Sequence, residues 1–124
     1  MAPVASGEYF STAERLAIHK TIHQAELASR FEISVFVGRS EGSSRAFATQ
    51  LHNRLAAPAR SVLIALDPEA HTIEIVTGGQ VRREVADAEV DLVVLEMKSA
   101  FAEGDLAGGL RRGITMLAEH RAQR

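Results

Sequence analysis

The residues best suited by type and spacing to chemistry are three carboxylates, Glu84, Asp87 and Asp91. A spacing of four places Asp87 and Asp91 on one face of a helix. Converging hard oxygen ligands suit Ca²⁺ or Mg²⁺, and neighbouring carboxylates can separate their pKa values for acid–base work. The structural alternative is a helix start, where acidic side chains complement the helix dipole and can pair with Arg82 and Arg83. The cluster therefore predicts either a Ca or Mg site or a charged first turn.

A second candidate is the loop from Gly38 to Arg45, which is rich in glycine, serine and arginine. It joins the end of a predicted strand to a helix start, where free N–H groups and the helix dipole attract anions. Asp67 is expected at the same end of the sheet, where open α/β sheets bind ligands. The loop lacks the ending of a Walker phosphate loop, and serine helix caps are the structural alternative. The candidate anion-binding residues are Arg39, Ser43, Ser44 and Arg45.

No set of residues in the chain predicts a catalytic mechanism. His19 and His23 have the spacing of two metal ligands on a helix, but Lys20 stands where a zinc protease needs its glutamate base. The chain has no cysteine, which excludes disulfides and thiolate chemistry. The catalytic residues are therefore unknown, and the sequence favours a protein that is not an enzyme.

Composition limits the class of protein. With 124 residues, of which 46% are hydrophobic, the chain is long enough for one domain with its own core. We expect a disordered lead over residues 1–10 and a single domain over 11–124. A net charge of -2 without a dense basic cluster argues against a nucleic-acid partner. The absence of a signal peptide and of a long apolar run predicts no membrane insertion and a cytoplasmic location.

The first half of the chain predicts helix, strand, helix and strand. Ser11 and Glu14 have the spacing of a capping box that opens a helix running to about Ser29. Residues 31–37 alternate between apolar and other side chains, as in a half-buried strand. A second helix carries an apolar stripe at every fourth residue and stops before Pro58. The apolar run of residues 61–66 then predicts a central strand, parallel to the first because a helix connects them.

The second half predicts a hairpin followed by two helices. Asp67 and Pro68 start a tight turn, and residues 72–77 return as an antiparallel strand that Gly78 and Gly79 end. Asp87 is expected to cap a nearly fully buried helix, and Asp105 to open the last one. The predicted fold is a three-layer α/β/α sandwich with a mixed sheet of three to four strands and about four helices.

Several of these strings resemble the TPM domain family, including a small actinobacterial group of uncharacterised members. The resemblance covers the leading helix at 11–29, the strands at 31–37 and 61–66, the return at 72–79 and the ending at 101–114. It implies an α/β/α sandwich. Acid phosphatase activity and divalent-cation binding are attributed to some TPM members, and others are assembly or repair factors. Residues 58–60, Pro-Ala-Arg, depart from the family's Asn/Asp-Gly, so no catalytic or metal residue is carried over.

Three functions remain open at this point. The first is an accessory or interaction module that binds another protein or a small anion without chemistry. The second is a weak divalent-metal-dependent acid phosphatase, which requires the carboxylates and the loop arginines to adjoin one pocket. The third is a homodimer formed through an exposed strand edge or through the second apolar face of the helix at 87–102, so that the chain is a monomer or a weak homodimer.

Overall fold

The structure is a computed structural model that describes residues 9–122, and the side chains of residues 9–120. The described chain forms, in order, α1 (Thr12–Ser29), β1 (Glu32–Val37), α2 (Ser44–Asn53), a 3-10 helix (Pro58–Arg60), β2 (Ser61–Asp67), β3 (Thr72–Thr77), α3 (Gly79–Arg82), α4 (Asp87–Ala102) and α5 (Leu106–Ala122). This order confirms the predicted α/β class. None of the described helices has both the length and the apolar character needed to span a bilayer.

The described strands form one three-stranded mixed sheet with β2 at its centre. β1 runs parallel to β2, with Ile33 opposite Val62, and β3 runs antiparallel to β2, with Thr77 opposite the same Val62. Every residue of β2 is buried, because strands flank it on both sides and helices cover both faces. The predicted topology of a parallel crossover followed by a hairpin is therefore confirmed.

Helices cover both faces of the sheet, which gives three layers. α5 packs between α1 and α4 on one face, and α2 packs on the other face against β2 and β3. The larger core fills the first interface, and its fully buried members include Ile18, Ile22, Ile64, Met97, Leu110, Ile114 and Leu117. A smaller cluster on the α2 face consists of Ala48, Leu63, Ala65 and Val76.

The helix starts follow the sequence signals closely. At α1 the Ser11 hydroxyl accepts from the Glu14 N–H at 3.1 Å, and the Glu14 carboxylate accepts from the Ser11 N–H at 2.8 Å, so the predicted capping box is confirmed. Asp105 opens α5 by accepting from the Gly108 N–H at 2.9 Å. At α4 the cap position belongs to Ala86, and Asp87 is the first helical residue, so the expected Asp87 cap was wrong.

Two other expectations need correction, and one short helix was not predicted. Residues 1–8 of the predicted lead lie outside the described residues, but Phe10 within that lead is buried, only 3% exposed. Gly78 and Gly79 end β3, as expected, and also begin the short helix α3, which the sequence patterns did not predict. α4 is not nearly fully buried, because Leu92 and Leu95 are 56% and 61% exposed.

Candidate ligand-binding site

A cavity of about 430 Å³ opens at the carboxyl end of β2. It lies between the β2–β3 turn and the junction of α4 with α5, and its walls are Leu66, Asp67, Pro68, His71, Thr72, Ile73, Lys98, Phe101, Ala102, Gly104 and Leu106. Its volume is in the range of small-molecule sites, which are clefts of roughly 300–1,000 Å³. It is also at the end of a parallel strand pair, where open α/β sheets bind ligands.

Two tight turns build the mouth of the cavity. In the β2–β3 turn, the Asp67 carboxylate accepts from the Ala70 N–H at 3.1 Å, and His71 has a left-handed backbone with φ of 60°. Between α4 and α5, Gly104 has φ of 84°, a conformation that glycine adopts without strain. Asp105 then caps α5. Each turn follows from local residue types, but only the tertiary fold brings the two turns together.

Asp67 is the charged group held most firmly in this region. Its side chain is buried, and one carboxylate oxygen also accepts from the Ser40 N–H at 2.9 Å. The N–H groups of Ser40 and Ala70 are the main reason that the pKa of Asp67 is lowered, the Glu69 N–H and the Arg39 charge contribute less, and burial acts in the opposite direction. Asp67 therefore remains ionised and fixes the loop after β1 to the β2–β3 turn.

The cavity combines an apolar wall with a lysine and a histidine side chain. Leu66, Ile73 and Phe101 contribute apolar surface, and Lys98 and His71 are exposed at the walls. Within the described part of the chain, neither the Lys98 nor the His71 side chain makes a hydrogen bond or an ion pair. A ligand with an apolar body and an anionic group would meet complementary chemistry here, whereas the only carboxylate in the wall is already held by backbone N–H groups.

The four predicted anion-binding residues do not converge on one point. Ser43 caps α2, where its hydroxyl accepts from the Ala46 N–H at 3.3 Å. Ser44 donates to the Glu74 carboxylate at 2.7 Å.

The two arginines of this set also have partners within the chain. Arg45 donates to the Ile75 carbonyl at 2.8 Å and lies 3.6 Å from the Glu74 carboxylate, so it fastens α2 to β3. Arg39 lies 3.5 Å from the Glu69 carboxylate in the β2–β3 turn. None of the four predicted residues lines the cavity, and an anion site formed by them remains a prediction.

The three predicted metal ligands lie at the other end of the sheet. β3 is antiparallel to β2, so Glu84, Asp87 and Asp91 follow its carboxyl end, beside the start of β2. Among residues 9–120, no group of three or more histidines and carboxylates is arranged to hold a metal ion. Seven residues of β2 span roughly 20 Å at about 3.3 Å per residue, and this length separates the acidic segment from the loop arginines. The structure therefore does not bring the two groups of the phosphatase hypothesis into one pocket.

The cavity residues that sequence reasoning missed are His71, Lys98 and Phe101. Phe101 belongs to a helix that was expected to be nearly fully buried, and the other two residues carried no motif. The available signals were the two turns, at residues 67–68 and 104–105, which the sequence did identify as separate features. No pattern in the sequence indicated that these turns would be neighbours.

These features define an α/β/α domain with a ligand-sized cavity at the carboxyl end of its central strand. The chain belongs to the family DUF5130, a domain of unknown function, whose family model matches residues 3–118. This match overturns the TPM assignment made from the sequence strings. The short strings at 72–79 and 101–114 reflect local requirements of strand ends and helix starts, which unrelated families can share.

Two curated relatives are uncharacterized proteins of Mycobacterium tuberculosis, MT2543 and Rv2468c, from two strains of that organism. Each is 28% identical over 109 residues, which is 88% of this chain and 65% of the relative. The chain therefore spans less than two thirds of the length of these relatives.

Three similar structures solved by NMR share the fold. The BA42 protein of Bizionia argentinensis has a TM-score of 0.84 at 23% identity, covering 96% of this chain and 86% of BA42. An N-terminal domain from P. gingivalis has a TM-score of 0.83 at 14% identity, covering 94% and 79%. The N-terminal domain of cg2496 from Corynebacterium glutamicum has a TM-score of 0.76 at 20% identity, covering 95% and 77%. At these identities the likeness concerns the fold alone.

Proposed function

We propose that this chain is a binding module that takes a small amphipathic anion into the cavity at the carboxyl end of β2, without chemical conversion. The observation that carries the proposal is the combination of an apolar wall with Lys98 and His71, which have no partner among the described residues. The ligand's apolar part would lie against Phe101 and Ile73. Its anionic group would lie between the Lys98 ammonium and the His71 imidazole.

The chemistry of the wall supports binding over catalysis. The acid of the cavity, Asp67, accepts two backbone N–H bonds, so it is poorly placed to take a proton from a ligand. The cavity wall contains no serine and no second carboxylate, and threonine is its only hydroxyl residue. The metal-dependent phosphatase therefore ranks second, and a protein partner and a cytoplasmic location remain predictions from the sequence.

Binding of a matched ligand pair tests the proposal. The thermal midpoint of the protein is measured with octanoate, with octyl phosphate and with neutral octanol in the same buffer. A ligand at about 100 times its dissociation constant stabilises by about 2.7 kcal/mol, which shifts the midpoint by several degrees. We expect both anions to raise the midpoint more than octanol does, because only the anions can pair with the Lys98 ammonium.

Two variants locate the bound ligand. Ala102→Phe fills the cavity and should abolish the shift, and Lys98→Met keeps an apolar stem and should remove the preference for anions over octanol. The control is Leu27→Ala, at an exposed leucine of α1 that does not line the cavity, and it should leave both results unchanged. The proposal is wrong if neither anion shifts the midpoint, or if octyl phosphate is hydrolysed in sustained turnover that Asp87→Ala removes.

A further inference from the structure

The outer face of α4 carries an exposed stripe with the spacing of a helix-pairing seam. Its members follow one another at intervals of four, three, four and three residues, and all are exposed: Ala88, Leu92, Leu95, Ser99 and Ala102. Such alternation is the heptad pattern by which one helix packs along another. The two leucines occupy the middle of the stripe, and small residues at both ends permit close approach.

Charges on the two sides of this stripe differ in whether they have partners. On the α5 side, Glu96 lies 3.0 Å from Arg112 and Glu89 lies 2.6 Å from His120, so this side is engaged within the chain. On the other side, the Asp91 and Lys98 side chains have no hydrogen bond or ion pair among the described residues. One side of the stripe thus carries an acidic and a basic side chain that have no partner among the described residues.

We propose that the stripe binds a second copy of this chain, with the two α4 helices antiparallel about a two-fold axis between Leu92 and Leu95. This axis places Leu92 of one copy against Leu95 of the other. It also places Asp91 and Lys98 of both copies along the same edge of the interface. Along the direction of the helices, Asp91 of one copy and Lys98 of the other copy are then offset by two residues. At 1.5 Å per residue this offset is about 3 Å.

Charge complementarity therefore selects a second copy as the occupant. The symmetric arrangement forms two Asp91–Lys98 pairs at once, and an antiparallel helix from an unrelated protein would need the same acid and base at the same spacing. Each copy contributes one short stripe, so the contact belongs to the small, weak class of interfaces. We expect a monomer–dimer equilibrium with a dissociation constant on the order of 10–100 μM.

This inference does not rest on the proposed ligand, although Lys98 and Ala102 also line the cavity. Leu92, Leu95 and Asp91 do not line it, so variants at these positions test the interface without altering the cavity. They are exposed, so their substitution removes little packing within one copy.

Sedimentation velocity from about 5 μM to 1 mM, without added ligand, tests the dimer, with circular dichroism confirming that each variant folds. We expect Leu92→Ala/Leu95→Ala to weaken dimerisation by at least about 100-fold, because four leucine side chains leave the interface. The matched control is Leu16→Ala/Leu27→Ala, which removes two leucines of similar exposure, 67% and 66%, from α1. This control should leave the dissociation constant unchanged.

A charge exchange tests the orientation of the two helices. Asp91→Lys should weaken the dimer about tenfold, because two attractive pairs become repulsive, and Asp91→Lys/Lys98→Asp should restore it. A monomer at all concentrations overturns the proposal and leaves the leucines to a different partner. A dimer that is lost with the α1 leucines but kept with the α4 pair also overturns it. Failure of the double charge exchange to restore the dimer overturns the antiparallel pairing.

Discussion

The two ends of the sheet are built in opposite ways. At the carboxyl end of β2, two turns face each other across a cavity, and charged side chains stand at its walls. At the other end, backbone packs directly on backbone: Gly78 lies against Pro58 and Ala59, and its N–H donates to the Ser61 carbonyl at 3.0 Å. His52 is buried there and its ring nitrogen donates to the same carbonyl at 3.0 Å.

The comparison indicates that one end of the sheet contributes to stability, whereas the other end is open to a ligand. At the closed end, the Gly78 N–H and the His52 ring both donate to the Ser61 carbonyl, and backbone packs directly on backbone. The open end satisfies Asp67 internally but leaves Lys98 and His71 available. The acidic segment after β3 belongs to the closed end, which is why a structural interpretation of its carboxylates fits the surroundings better than a ligand site.

The largest effect is expected from Gly78→Ala at the closed end. A Cβ atom there would lie 2.0 Å from the Pro58 carbonyl oxygen and 2.3 Å from that of Ala59, and backbone cannot move aside as a flexible side chain can. We expect a loss of about 3 kcal/mol or more in the free energy of unfolding, measured by urea denaturation.

Gly79→Ala is the matched control for this prediction. Its Cβ would have only the Arg82 guanidinium nearby, at 3.9 Å, and alanine favours the helix that begins there. We expect a change within about 0.5 kcal/mol. Equal effects of the two substitutions would show that the closed end is not held by the approach of Gly78 to Pro58.

An intermediate effect is expected from Asp67→Asn at the open end. The Ser40 and Ala70 N–H groups bond different oxygens of the Asp67 carboxylate, Oδ2 and Oδ1. Asparagine replaces one of these oxygens with an NH2 donor, so one of the two N–H groups loses its acceptor. We expect a loss of about 1–2 kcal/mol at pH 7, measured by urea denaturation. Glu69→Gln, which removes only an exposed pair with Arg39, should cost less than about 0.5 kcal/mol.

The difference in the free energy of unfolding between the wild-type protein and Asp67→Asn should depend on pH. The pKa of Asp67 is lowered in the folded protein from its ordinary value of 3.8. The stabilisation is therefore complete above pH 3.8 and is lost as the pH falls through the lower, folded pKa. We expect the difference between the wild-type protein and Asp67→Asn to shrink below about pH 4. A difference that stays constant down to pH 2 would contradict an ionised Asp67.

The smallest effect is expected from Asp87→Ala and divalent cations at the closed end. Asp87 is in the first turn of α4, where removal of its interaction with the helix dipole should cost about 0.3–1 kcal/mol. Millimolar Ca²⁺, Mg²⁺ or Mn²⁺ should shift the thermal midpoint of metal-stripped protein by less than about 1 °C, because the carboxylates do not form a ligand group. A shift of several degrees that Asp87→Ala abolishes would restore the metal-site hypothesis.

Local patterns were sufficient to predict the sheet. The unbroken apolar run of β2 and the Asp67–Pro68 turn identified the central strand and the hairpin, and the Ser11 capping box identified the start of α1. These features depend on residues within a few positions of one another. A physical rule that operates over short distances in the chain can therefore recover them.

The candidate site could not be predicted because its parts are distant in the chain. Ser44 and Arg45 were interpreted as anion ligands, whereas Glu74 and Ile75, about thirty residues further on, occupy them. The exposure of Leu92 and Leu95 likewise depends on how much of α4 its neighbour α5 covers. Apolar residues on two sides of a helix are compatible with either burial or exposure, and only tertiary packing decides between them.

The position of α5 between α1 and α4 has a consequence for synthesis in the cell. α5 supplies Leu110, Ile114 and Leu117 to the larger core, and Arg111 donates to the Thr21 hydroxyl of α1 at 3.0 Å. While the chain emerges from the ribosome, α1 and α4 are therefore complete before the helix that joins them. Cotranslational folding of the larger core must wait for α5, and during that interval the inner faces of both helices are open to chaperones.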